Sequence, residues 1–191
     1  MKLKKDFYTR DAITVAKELL GKFLVREINS HTLVSMITET EAYTSYDKAC
    51  HAYNYNMTPR TSTLFKEGGI AYVYFTYGMY NMLNVVADKE GEPAAVLIRG
   101  LKPLKNIEYM SILRYNKSYE NLSKYQINNF TNGPGKLCMA YSVDRNLNGE
   151  DLSGNTLYIT EGEKITTFKT GKRIGIDYAE EAKDFLWRFY L

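Results

Sequence analysis

Apolar residues recur at Ala12, Ile13, Ala16, Leu19 and Leu20, a spacing that gathers them on one face of a helix. The pattern predicts a helix from about Arg10 to Leu20, with Thr9 as its cap, Asp11 in its first turn and Gly21 as its stop. The period then shortens. Phe23, Val25 and Ile28 suggest a strand, Asn29-Ser30-His31 a turn, and Leu33 to Tyr43 a second strand. The end of this hairpin reads Thr38-Glu39-Thr40-Glu41-Ala42-Tyr43. Glu39, Glu41 and Tyr43 fall at every second position, so a strand projects all three from one face.

Thr44 to Glu67 is almost free of aliphatic residues but holds Tyr46, His51, Tyr53, Tyr55, Pro59 and Arg60. Connections this long are either disordered or functional, and the aromatic content favours a folded loop at a site. Strands are expected over Ile70 to Thr76 and Tyr80 to Ala87, as a hairpin whose tip, Tyr77-Gly78-Met79, uses the conformational freedom of Gly78. Ala94 to Arg99 reads as another strand. Asn106 to Asn132 is polar and reads as an insertion of weak helix and loop. Gly133 to Ala140 looks like a loop entering a short helix, and Thr156 to Thr160 and Lys164 to Phe168 look strand-like. Phe185 to Tyr190 is expected to close the chain against the body of the molecule.

At 191 residues the chain fits one domain, residues 1–191, with room for a substantial core. No apolar run approaches the ~20 residues of a membrane span. The N-terminus lacks an apolar signal core, so a cytoplasmic protein with no membrane partner is expected. Two cysteines without paired spacing, Cys50 and Cys138, are expected to be reduced thiols. With only His31 and His51 beside them, a cysteine/histidine zinc site is disfavoured. A net charge of +3 is compatible with a nucleic-acid partner but too small to indicate one.

Local enrichment says more: eight of the 17 tyrosines lie between residues 43 and 80. A carboxylate beside electron-rich rings suits an enzyme that holds a flat, cationic ring and directs water at it. Glu41 is the first candidate base, because it lies nearer the strand end than Glu39; the bland alternative is a solvated strand carboxylate. Tyr43, His51 and Tyr74 are candidate pocket walls, attracting a cationic ring by cation–π interaction and stacking on it. Tyr77 is either a plain loop aromatic or a wedge driven into a duplex from which a nucleotide has swung out. Asn84 interrupts the apolar run Met82 to Val86, either to satisfy backbone groups or to probe a base edge. Arg99 ends an apolar strand and can pair with a carboxylate, holding Glu41 ionised. Gly133-Pro134-Gly135-Lys136 has the look of an anion-binding helix entrance without the spacing of a nucleoside-triphosphate loop. Two rival readings remain open: a non-catalytic binder of single-stranded or distorted nucleic acid, and a glycoside hydrolase built on Glu39 and Glu41.

The chain resembles the alkyladenine (3-methyladenine) DNA glycosylase family. The likeness runs through Glu39-Thr-Glu-Ala-Tyr43, Ala49-Cys-His51, Thr58-Pro-Arg60, Tyr72-Val-Tyr74, Tyr77-Gly-Met-Tyr80, Asn84, Val96-Leu-Ile-Arg99, Gly133-Pro-Gly-Lys-Leu-Cys138, Arg173-Ile-Gly-Ile176 and Arg188-Phe-Tyr190. The resemblance implies an α+β fold: one mixed domain around a curved antiparallel sheet flanked by helices, with no metal and no cofactor. It implies that Glu41 activates water with Arg99 beside it, that Tyr43, His51 and Tyr74 enclose a flipped base, that Tyr77 fills the gap in the duplex, and that Asn84 screens the purine edge. Arg60 and Lys136 are the cations expected on DNA phosphates. The expected partner is damaged double-stranded DNA, met by a monomer. The expected reaction is monofunctional hydrolysis leaving an abasic site. The chain departs from the family in Tyr46, Tyr53 and Tyr55 around the histidine, and in the unmatched segment Asn106 to Asn132, so the range of lesions stays open.

Overall fold

One long strand, β2 (His31–Tyr43), organises the molecule. In the computed structural model, which describes residues 1–191, β1 (Phe23–Ile28) returns into β2 through Asn29 and Ser30. Both turn residues have positive φ, 47° and 63°, the turn geometry that matches strand twist. β5 (Ala95–Lys105) runs along β2 from Val34 to Tyr43. On the other edge β1 pairs as far as Met36, and β8 (Arg188–Tyr190) takes over from Glu39 to Glu41. The hairpin of β3 (Ala71–Thr76) and β4 (Tyr80–Val86) extends the sheet beyond β5. β6 (Leu157–Thr160) adds to β1, and β7 (Lys169–Gly171) to β8. The main path is β3-β4-β5-β2-β1-β6, antiparallel throughout, and with its helices this is the expected α+β architecture.

Two slips of register aim the functional face. Ile37 lies opposite Leu101, Glu39 opposite Gly100 and Thr40 opposite Ile98. Thr38 is therefore an extra residue on β2 and Arg99 an extra residue on β5. An extra residue moves the following side chains to the other face. Below the slip Leu33 and Ile37 enter the main apolar core; above it Ala42 does. The Thr40 hydroxyl donates to the Ala16 carbonyl of helix α2 (Ala12–Glu18) at 2.7 Å. Glu39, Glu41 and Tyr43 consequently turn away from α2, towards Arg99.

α1 (Lys5–Tyr8) precedes α2. α2 is shorter than its apolar spacing suggests, because Asp11, not Thr9, caps it by accepting from the Thr14 amide at 2.9 Å. Gly21 takes φ +82°, and a Cβ there would lie 2.4 Å from the Glu163 carbonyl oxygen, so the stop is also a close approach of two segments.

Two expectations need correction. The insertion expected at Asn106 to Asn132 is part of the core: Met110 of α3 (Ile107–Tyr115), and Leu122 and Phe130 on either side of α4 (Lys124–Asn128), join the main apolar cluster. Thr131 hydrogen-bonds Leu101 through both its hydroxyl, at 2.6 Å, and its carbonyl. Lys164 to Phe168 is not a strand. Ile165 and Phe168 pack on the core from irregular chain, and pairing starts at Lys169. α5 (Pro134–Ala140) begins with proline at its first position and buries Leu137 and Cys138 against β4 and β5. No helix is long and apolar enough to cross a membrane.

Candidate active site

A cavity of about 380 Å³ opens between the β3–β4 hairpin, the first half of β5 and the irregular segment Ile174–Tyr178, within the size range of small-ligand sites. Tyr43, His51, Tyr72, Tyr74, Asn84 and Arg99 line it, and Tyr77 stands at its edge. The loop after Tyr43 is folded, as expected of a site loop. The Asp47 side chain accepts from the Ala49 amide at 2.9 Å, tightening the turn that brings Cys50 and His51 to the wall.

Glu41 has no exposed surface. Its Oε2 accepts from the Tyr43 hydroxyl at 2.8 Å and from Arg99 Nη1 at 3.4 Å, and its Oε1 accepts from the Ile174 amide at 2.8 Å. All three donors line the cavity, so the carboxylate lies directly behind the wall they form. Burial pushes its pKa above the ordinary carboxylate value. Arg99, the Ile174 N–H and the Tyr43 hydroxyl oppose that rise, and Glu39 adds to it. Arg99 was expected to pair with a carboxylate, and it meets both: Glu41, and more closely Glu39 Oε1, at 3.1 Å. Glu39 is further braced by Arg188 at 3.7 Å. Because Glu39 and Glu41 meet one guanidinium from the same strand face, they do not flank a space that would hold a sugar bond, which removes the glycoside-hydrolase geometry.

The ring walls are uncharged. Burial, followed by the charge of Arg60, pushes His51 down to about 4, so its imidazole is neutral at physiological pH. Its Nδ1 lies 3.0 Å from the Tyr72 hydroxyl, whose pKa burial raises to about 12. His51 meets Tyr74 edge to face at 4.5 Å between centroids. Asn84 Nδ2 donates to the Tyr72 carbonyl at 3.2 Å, which is the backbone-satisfying reading, and the residue also lines the cavity.

Tyr77 is 73% exposed at the hairpin tip, with φ 54° followed by Gly78 at 67°. Arg60 is exposed and sits over the Tyr74 ring at 5.2 Å. Lys136 turns back on its own helix entrance: Nζ meets Asn129 Oδ1 at 2.6 Å and Asn132 Oδ1 at 3.1 Å. Gly135, within the expected anion-binding entrance, is required by packing, since a Cβ there would lie 2.8 Å from the Tyr80 ring. No group of three or more His, Cys, Asp or Glu side chains is placed to hold a metal ion.

The family model described as methylpurine-DNA glycosylase matches residues 6–191. The chain belongs to that family. Among similar proteins, one from Clostridium perfringens (strain 13 / Type A), named "Putative 3-methyladenine DNA glycosylase", is 54% identical, covering 100% of this chain and 96% of the relative. A protein of the same name from Clostridioides difficile (strain 630) is 49% identical, covering 99% of this chain and 100% of the relative. A third, from Desulfitobacterium hafniense (strain Y51), is 50% identical, covering 100% and 95%.

Within this methylpurine-DNA glycosylase fold, most of the motifs that carry the resemblance, from Tyr43 to Ile176, reach one cavity, whereas Thr58-Pro-Arg60 and Arg188-Phe-Tyr190 do not line it. Arg173-Ile-Gly-Ile176 enters the sequence reading only as part of the family likeness, with no role given to Ile174, Gly175 or Ile176, and Tyr178 is not singled out there; Ile174, Gly175, Ile176 and Tyr178 complete the wall. Nor does that reading isolate Tyr72 as the partner of His51, although the alternation with Tyr74 was in view.

Proposed function

We propose that the protein is a monofunctional DNA glycosylase, acting as one domain, which hydrolyses the N-glycosidic bond of alkylated purines of the 3-methyladenine type in duplex DNA and leaves an abasic site. The observation that carries this reading is the buried Glu41 carboxylate, held by three donors directly behind a cavity of neutral aromatic rings.

A purine alkylated at N3 or N7 is cationic. Tyr43, Tyr74 and His51 offer it faces worth about 2 kcal/mol where desolvated, and stacking contributes about 1–3 kcal/mol per base. A neutral His51 adds no repulsion. The flipped nucleotide places its sugar C1′ at the Glu41 side of the cavity, and Tyr77 enters the stack in its place. Each carboxylate oxygen can accept about two hydrogen bonds. Oε2 already has Tyr43 and Arg99, whereas Oε1 has only Ile174, so Oε1 is the oxygen that receives the proton of the attacking water. As the C1′–N bond breaks, its electron pair returns to the purine and cancels the positive charge. Water oxygen bonds to C1′, and the negative carboxylate favours the oxocarbenium-like sugar in between. No lysine lines the cavity, which supports hydrolysis without a lyase step. Arg60 and Lys136 contact phosphates only after leaving the Tyr74 ring and the Asn129–Asn132 oxygens that now engage them.

A panel of lesion oligonucleotides, scored for released base and for strand breaks, tests the proposal. The expected result is free alkylpurine with intact backbone until alkali is added. Binding without release would support the nucleic-acid binder instead.

A further inference from the structure

Arg173 carries a charge where no substrate reaches. Its side chain has no exposed surface, nor has that of Asp47, with which it pairs. Nη2 donates to Asp47 Oδ1 at 2.9 Å and to the Ala182 carbonyl at 3.0 Å, and Nη1 donates to the Ala42 carbonyl at 2.8 Å as well as to Asp47 Oδ2. The guanidinium carbon lies over two rings, 4.6 Å from the centroid of Tyr43 and 5.2 Å from that of Trp187. One cation thus joins the end of β2, the site loop, the C-terminal turn and the approach to β8. The next residue, Ile174, gives its amide to Glu41.

We infer that Arg173 and Asp47 form a positioning pair, which holds the Ile174 N–H on Glu41 and the Tyr43 ring in the cavity wall without touching substrate. Arg173 does not line the cavity, so it is no catalytic residue. A buried ion pair is a weak device for stability, because desolvation offsets its attraction. Its directional bonds gain their value from what they orient. Only a planar guanidinium supplies four hydrogen bonds and contact with two rings at once; a lysine ammonium is a point charge with three donors.

The inference rests on the reading of Glu41 as the base. Removing the Ile174 donor disfavours the charged carboxylate, so the acidic limb of the pH–rate profile reports the positioning. Tyr43, whose hydroxyl also favours the charged carboxylate, is loosened along with the Ile174 donor and acts in the same direction; the other groups facing Glu41 stay in place: Glu39 on β2, Arg99 on β5, Tyr74 on β3 and Arg188 on β8. The experiment measures single-turnover release of base from methylated duplex DNA across pH for wild type, Glu41→Gln, Arg173→Lys, and the double variant Arg173→Met/Asp47→Asn, which buries no lone charge. Trp187, the one tryptophan of the chain, reports folding by its emission. Both Arg173 variants are expected to fold and to lose roughly 10- to 100-fold in rate at neutral pH, with the acidic limb moved to higher pH and part of the loss recovered under alkaline conditions. A loss equal at every pH, an unmoved limb with wild-type rate, or failure of both variants to fold would assign the pair to the fold alone and overturn the inference. A wild-type limb that Glu41→Gln leaves intact would instead remove the reading of Glu41.

Discussion

Glu41 combines full burial with a raised pKa, and the two make a pH signature. Release of base is expected to fall on acidification, with its midpoint above the ordinary carboxylate value of about 4.3. No second inflection should come from His51 near neutrality, because that ring is already neutral above about pH 4. A pH–rate profile checks both. The same burial acts on stability. A raised carboxyl pKa contributes stability that is present below the unfolded value and is lost as pH rises through the folded one. Melting curves should therefore show Glu41→Gln gaining on wild type as pH rises from about 4 to about 8. At Asn84, a smaller side chain such as serine should raise release of guanine adducts relative to adenine adducts, read from released-base ratios; an unchanged ratio would remove its screening role. The shared face of these residues was legible because period two puts Glu39, Glu41 and Tyr43 on one side of the strand. That Arg99 serves Glu39 more closely than Glu41 was not, since it depends on the bulge that lifts Arg99 out of register.

The β3–β4 hairpin is built to present one side chain. Two positive-φ residues turn the chain at Tyr77 and Gly78, and nothing lies within 4 Å of a Cβ at Gly78. Gly78→Ala should thus cost backbone strain of about 1–2 kcal/mol and no clash. Tyr77→Ala should weaken binding to a lesion duplex while sparing release from single-stranded substrate, where there is no gap to fill. Equal duplex affinity of variant and wild type, in a titration, would count against the wedge. At the α5–β4 contact, Gly135→Ala drives a methyl into Tyr80 and should destabilise by about 1–3 kcal/mol, seen as a lower melting temperature. Hairpins were the most legible elements, since turn residues and alternation agree locally. The segment from Asn106 to Asn132 was the least legible. Its anchors Met110, Leu122 and Phe130 are far apart in sequence, and only the sheet they cover makes them a set.

Across the whole molecule the site is a product of long-range closure. β2 supplies Glu39, Glu41 and Tyr43 at residues 39–43, the hairpin supplies rings at 72–77, and the C-terminal chain supplies Ile174 before β8 seals the edge of β2. The motifs could be recognised in order along the chain, but their meeting needed the sheet: local patterns carry no information on which strand lies beside β2. The net charge of +3 is modest for a DNA partner, and with Lys136 engaged by its own neighbours affinity is expected to lean on the proposed Tyr77 insertion as much as on phosphates. Everything proposed for the chemistry depends on Glu41 acting as base. Single-turnover release of 3-methyladenine from methylated duplex DNA, by wild type and by Glu41→Gln under conditions where both are folded and bound, tests it most directly. The expected result is a loss of at least ~100-fold in the variant with duplex binding retained; release at the wild-type rate would contradict the account.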